Sequence, residues 1–204
     1  MALSRSTNEK KFSKSQMQLL LRIARRAIAR RLSGQPNLSR KDLETSAGKG
    51  SDALMQKRGA FVTLTINKDL RGCIGSMFAD APLLHTIYDN ALNAAFSDPR
   101  FMPLSKNEFG KVAIEVSALS PISPLDYSDA QDLLSKLKPH EHGVLLKFSN
   151  GAGSTFLPQV WEQLPAKELF LSHLCAKAGM RPDSWRTLRP KVLVYSVQSA
   201  EERG

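Results

Sequence analysis

GAFVTLTINKDLRGCIGS, residues 59–76, is the stretch on which the reading of this chain turns. Val62, Leu64 and Ile66 alternate with polar or smaller neighbours, the pattern of a half-buried strand. Asn67-Lys68-Asp69 supplies a turn, and LRGCIGSM at 70–77 supplies a second strand, so the segment predicts a β-hairpin. One of only two cysteines in 204 residues sits in that second strand, between Gly72 and Gly75 and two residues after Arg71. In an unbroken extended strand Arg71 and Cys73 share a face, their Cα atoms roughly 7 Å apart. A cation beside a thiol favours the nucleophilic thiolate, and the flanking glycines allow backbone amides to approach a ligand closely. The same residues also suit a packed corner, with the glycines in a bulge and Cys73 a small buried hydrophobe.

Outward from the hairpin, helices and strands mix without regular βαβ alternation, which predicts an α+β fold. Ser13 and Gln16 form a capping box, Phe12 staples onto Met17, and Met17, Leu20, Leu21, Ala24, Ile28 and Leu32 repeat at helical spacing until Gly34 and Pro36. Residues 33–58 read as a mobile loop with one helical turn from Ser51. Pro82 to Phe96 is helical and stops at Ser97-Asp98-Pro99, because the residue before proline resists the α region. Ser105 and Glu108 cap a short helix, and VAIEVSAL (112–119) alternates, sending Val112, Ile114 and Val116 one way and Glu115 and Ser117 the other. A helix over 128–137, a second hairpin from GVLLKF (143–148) and STFL (154–157), a helix over 167–178 closed by Gly179, and a final strand at 191–198 complete the prediction.

The net charge of +10 is concentrated at one end: residues 1–41 carry eleven Lys or Arg and a single acid, so the rest of the chain is neutral. Arg22, Arg25, Arg26 and Arg30 share the polar side of the first helix, a solvated face, a nucleic-acid contact or a dock for an acidic partner. Phe12 is the only aromatic residue close to it, which leaves base stacking poorly supported. No apolar run approaches the roughly 20 residues of a membrane span, and two cysteines make no disulfide framework. A cytoplasmic protein is expected. Cys175 lies at helical spacing with Leu171, Leu174 and Ala178 and reads as core. Asp98 and Arg100 flank Pro99 as a loop ion pair. His140 and His142 share a strand-like face, but nothing in the sequence brings them to Cys73, so no metal and no cofactor is assigned.

In order along the chain, GAFVTL, LRGCIGSM, SDPRF followed by PL, IEVSALSP, HGV, FLPQVW and KAGM with a following Trp resemble the AMMECR-type domain, whose microbial members are called AmmeMemoRadiSam system protein A. The resemblance spans residues 13–200. It implies a compact two-lobed α+β domain, small sheets flanked by helices, with a cleft between the lobes; the basic tail at residues 1–12 and the loop at 33–58 are departures peculiar to this chain. It also implies that Arg71, Gly72, Cys73, Ile74 and Gly75 line that cleft, with Asp98, Arg100 and His142 as further signature positions. On this reading Cys73 is a nucleophile or substrate-linking thiol and Arg71 its activator or anion anchor. The implied partners are a Memo-like protein related to extradiol dioxygenases and a radical-SAM protein, in a pathway that modifies a small molecule or a protein. The alternative is a non-catalytic module that presents a ligand or partner to such an enzyme; nucleic-acid binding through the basic helix ranks below both.

Overall fold

The computed structural model describes residues 11–48, 51–78 and 80–202; of the basic tail expected at 1–12, residues 1–10 lie outside them. The chain divides into two compact units, one made of residues up to 119 together with those from 198 onward, the other of residues 120–197. The α+β class expected from the sequence is the class observed.

In the first unit, helix α1 (Lys14–Leu32) begins at the expected capping box, with Ser13 and Gln16 satisfying one another's backbone amides. Its stripe Met17, Leu20, Leu21, Ala24 and Ile28 is buried. The described residues of the expected loop at 33–58 include a helix: Ser39 and Asp42 form a second capping box that starts α2 (Arg40–Ala47), and Leu43 and Leu54 are fully buried. An Asp at the third helical position does the work expected of Glu or Gln, which is why the helix is easy to overlook in the sequence.

Strand β1 (Ala60–Ile66) joins β2 (Asp69–Ser76) through Asn67 and Lys68, both at positive φ, as a two-residue hairpin turn of the I′ kind demands. Helix α3 (Leu83–Phe96) and the single-turn α4 (Lys106–Phe109) follow, then β3 (Val112–Leu119). The predicted strand at 191–198 is two strands in two sheets. Its first part pairs in the second unit; after Ser196, whose N–H and C=O are taken by Ser120, the chain returns as β8 (Val197–Glu201) to the first. The first sheet is therefore ordered β2-β1-β3-β8. Val62, Leu64, Ile114 and Val116 point to one face, which α1 and α3 cover through Leu20, Ala24, Leu84, Ile87, Ala91 and Ala94. Thr63, Cys73 and Glu115 belong to the other.

The second unit is built from β4 (Ser123–Pro124), α5 (Ala130–Lys136), β5 (Gly143–Lys147), β6 (Gly153–Phe156), α6 (Lys167–Lys177), α7 (Ser184–Thr187) and β7 (Lys191–Tyr195), with strands in the order β4-β7-β5-β6. Its core stacks Trp161 on Phe170, ring centroids 3.6 Å apart, and Cys175 is fully buried there as the helical spacing predicts. Among the described residues no helix is long and apolar enough to cross a membrane.

Gly72 is where the covered face is tightest: a Cβ at that position meets the Ala94 carbonyl oxygen of α3 at 2.2 Å, whereas one at Gly110 meets nothing within 4 Å. Gly72→Ala is expected to lower unfolding stability by about 1–3 kcal/mol as helix and strand are forced apart. Gly110→Ala, at helical φ, is expected to be neutral or stabilising by up to about 1 kcal/mol. Urea unfolding of the two variants checks the contrast; equal stabilities would mean that α3 does not need the glycine.

Candidate functional site

The side chain of Cys73 reaches its face through an irregularity in the hairpin. Ile66 pairs with Asp69 and Thr65 with Leu70, but Leu64 pairs with Gly72 and Thr63 with Cys73, so Arg71 is one extra residue in β2. Because side chains alternate along a strand, an unbulged ladder sets Cys73 beside Val62 on the covered face; the extra residue moves it opposite Thr63 on the other. Cys73 is half-buried, and the Thr63 hydroxyl lies 3.4 Å from Sγ, placed to donate to it.

The edge of β2 away from β1 carries backbone groups that no strand satisfies. At Cys73 a side-chain pair takes their place. The Cys73 N–H donates to Asp98 Oδ2 at 2.8 Å, and its carbonyl accepts from Arg100 Nη2 at 3.1 Å. Arg100 also donates Nη2 to Asp98 Oδ2 and Nε to Oδ1, which accepts the Arg100 backbone N–H as well. That last bond is the two-residue reach of an Asx turn, and Pro99 fixes the φ between. These donors, Arg100 first and Cys73 N–H next, hold the buried Asp98 carboxyl well below the usual carboxylate range. Arg100 is in turn held more firmly protonated, chiefly by its hydrogen bonds to Asp98.

Arg71, expected to activate the thiol from the same face, is directed elsewhere by its bulge. Nε and Nη2 donate to the two Glu108 oxygens and Nη2 also to the Met102 carbonyl, while the guanidinium lies over the Phe101 ring. Arg71 first, then the N–H and hydroxyl of Ser105, hold the Glu108 carboxyl down to about 2. The arginine bonded to Cys73 itself is Arg100, through the backbone carbonyl. Gly72 and Ile74 turn to the covered side, where Gly72 admits α3 and Ile74 packs on the core; Gly75 lies against the Phe61 ring. All three make packing contacts within the first unit. His142 belongs to the second unit, where burial lowers its pKa, its Nδ1 accepts the Lys138 N–H and its carbonyl accepts from Trp161 Nε1. Asp98 and Arg100 are thus the signature positions brought to Cys73.

Thr63, Glu108 and Glu115 were not singled out from the sequence. Thr63 and Glu115 are both register partners across β1, Thr63 opposite Cys73 on one side and Glu115 on the other. The Asn67-Lys68 turn sets that row only through the extra residue at Arg71, which no local sequence signal marks. Of the basic-helix arginines, Arg25 is bound to Glu202 and to the Phe109 and Val112 carbonyls, Arg26 to Ser46 and Arg30 to the Pro36 carbonyl; most of that face is tied into the fold. Among the described residues no three His, Cys, Asp or Glu side chains are grouped to hold a metal.

The model of the family described as AMMECR1 matches residues 21–200. The chain belongs to the AMMECR1 family. It is 38% identical over 186 residues to a protein of Nanoarchaeum equitans, covering 90% of this chain and 98% of that one. It is 34% identical over 197 residues to a protein of Methanothermobacter thermautotrophicus, covering 94% and 97%. The crystal structure of an uncharacterized protein from Pyrococcus horikoshii superposes with a TM-score of 0.77 at 29% identity, covering 95% of each chain. The AMMECR1-family fold, read from residues, is therefore shared with a solved structure of near-equal extent.

The ion pairs of this site predict how stability responds to acid. The folded-state pKa of Glu108 is depressed to about 2 from its ordinary 4.5. Its contribution is therefore fully present above about 4.5 and is lost as pH falls from there through about 2. Asp98, also depressed, acts with the same sign. Glu108→Gln is expected to be less stable than the parent at pH 7 and to lose less stability between pH 5 and 2, as read by urea midpoints across that range. Parallel pH profiles for variant and parent would show that the Arg71 pair carries no such linkage.

Proposed function

We propose that this AMMECR1-family protein is a thiol-bearing component of a cytoplasmic pathway that modifies a small molecule or a protein, working with a Memo-like protein and a radical-SAM protein. Cys73 is its substrate-linking nucleophile. The observation that carries this reading is the Thr63–Cys73–Arg100 arrangement, a half-buried thiol with the Thr63 hydroxyl donating to its sulfur and a guanidinium, held by Asp98, donating to the carbonyl of the same residue. Thr63 and Arg100 hold Cys73 in place, one at its sulfur and the other at its backbone carbonyl. The step they support is bond formation from Sγ to an electrophilic centre of the substrate: the thiol proton leaves to solvent, and the leaving group departs with its electron pair.

The non-catalytic reading is favoured by a different observation. Met102, Leu70 and Phe78 are large apolar side chains left exposed, and the first two flank the bulge, Met102 holding Arg71 through its carbonyl. In that reading the loop after Asp98 is the contact for a partner enzyme, and Cys73 is packing.

Competitive alkylation by iodoacetamide, followed by mass spectrometry, separates the two. Cys175 is fully buried, and burial also pushes its thiol pKa up. It reacts only through opening of its unit, so Cys73 is expected to be modified at least about a hundredfold faster in the folded protein. Arg100→Gln is expected to slow Cys73 by roughly threefold to tenfold at neutral pH, the order expected for removing one nearby charge. A Cys73 that reacts no faster than Cys175 removes the nucleophile and leaves partner binding, which Cys73→Ala then retains in co-purification with the Memo-like or radical-SAM protein.

A further inference from the structure

The face that the bulge assigns to Cys73 continues across the sheet as a row of polar side chains. Thr63 on β1 stands opposite Cys73 on β2 and opposite Glu115 on β3. The Ser117 hydroxyl donates to Glu115 Oε1 at 2.8 Å and meets the Ser199 hydroxyl of β8 at 2.8 Å. Glu115 thus lies two strand spacings from Cys73, roughly 10 Å away, with Thr63 between.

Charge sets Glu115 apart from the other groups near the thiol. Asp98 is neutralised by Arg100 and Glu108 by Arg71. Among the described residues Glu115 has no cationic partner, and Oε2 has no hydrogen-bond donor. Glu201 stands across from it on β8, by the register that the Glu202 N–H to Ile114 carbonyl bond sets; it is exposed and adds the same sign. Ser117 thus holds one oxygen of a half-buried carboxylate that stands on the thiol's own face, and the other oxygen is left open to a ligand.

We infer that Glu115 is the specificity-determining residue of the thiol's face: it takes a positively charged, hydrogen-bond-donating group of the substrate, an amine or a guanidine, while the electrophilic end of the same molecule lies at Cys73. This rests on the thiol reading above. It narrows the substrate class to molecules or side chains in which a cation and an electrophilic centre are separated by up to about 10 Å, the span from Cys73 to Glu115. Ser117 orients the carboxylate by holding Oε1, leaving Oε2 to the ligand.

Methanethiosulfonate reagents of similar size and opposite charge, trimethylammonium-ethyl and sulfonato-ethyl, test the assignment, with the uncharged methyl reagent as reference. In each case Sγ attacks the sulfenyl sulfur, a mixed disulfide forms and methanesulfinate leaves, so only the charge near the thiol distinguishes the rates. The ratio of cationic to anionic rate at Cys73 is expected to fall roughly fourfold or more in Glu115→Gln, from Coulomb attraction and repulsion over about 10 Å. It is expected to stay at the parent value in Glu115→Asp and in Glu44→Gln. The latter makes the same net-charge change on α2, which packs on α3 over the covered side of the sheet. Thermal melts of each variant confirm that the folded protein is being read. A ratio unchanged in Glu115→Gln, or changed equally in Glu44→Gln, overturns the inference while leaving the thiol reading standing. A Cys73 that resists even the uncharged reagent overturns both.

Discussion

One extra residue in β2 governs the character of this protein's first unit. Strand side chains alternate with a period of two, so a single insertion exchanges faces for everything beyond it. On one side of Arg71 the hairpin obeys the register of its two-residue turn; on the other, Gly72 and Ile74 face the helices, and Cys73 and Gly75 face away. The exchange sets two requirements at once. The residue that now meets α3 has to be the smallest available, because the Ala94 carbonyl occupies the place of a Cβ. The thiol acquires polar neighbours, Thr63 and Arg100, in place of the aliphatic core.

A second constraint follows from the sheet having edges. Backbone amides left without a strand cost free energy unless another group satisfies them, and the first unit answers in the same manner at two places. At β2, Asp98 accepts the Cys73 N–H while Arg100 donates to its carbonyl. At the end of β8, the Glu202 N–H donates to the Ile114 carbonyl and the Glu202 carboxylate accepts the Ile114 N–H, while Arg25, paired with that carboxylate, donates to the Val112 carbonyl. Each time an arginine and a carboxylate offer a donor and an acceptor side by side, as a neighbouring strand does. The charge of the basic first helix is partly explained by this use: Arg25 is a structural piece of the sheet and not part of a solvated face.

How far the sequence carries can be stated through these residues. The hairpin, the capping boxes at Ser13 and Ser105, the buried stripe of α1 and the core role of Cys175 are local or periodic features, and such features are written into neighbouring residues. The Asp98–Arg100 ion pair was legible too, since the two residues bracket a proline. What escaped depends on contacts between distant segments or on a change of phase. Helix α2 uses Asp in a capping position where Glu or Gln is the usual signal. The final strand divides at Ser196 because Ser120, 76 residues away, holds its backbone. Arg71 was matched to Cys73 by a spacing that the bulge cancels, and the true cation, Arg100, is 27 residues off.

The replacement of Arg71 by Arg100 alters the chemistry and not only the label. An arginine two residues from the thiol in a regular strand is placed by that strand alone. Arg100 is joined to Cys73 through the backbone carbonyl and through Asp98, so the orientation of the cation and the geometry of the edge are one hydrogen-bonded unit. Arg71, bound to Glu108 and to the Met102 carbonyl, ties α4 and the loop after Pro99 to the bulge from the other side. Asp98, Arg100 and Met102 lie within five residues of one loop, so two arginines from different segments hold that loop against β2, one on each side of the thiol's position in the chain. The position of the guanidinium at Cys73 is thereby fixed by the same bonds that terminate the sheet, and a change that loosens the edge also withdraws the charge.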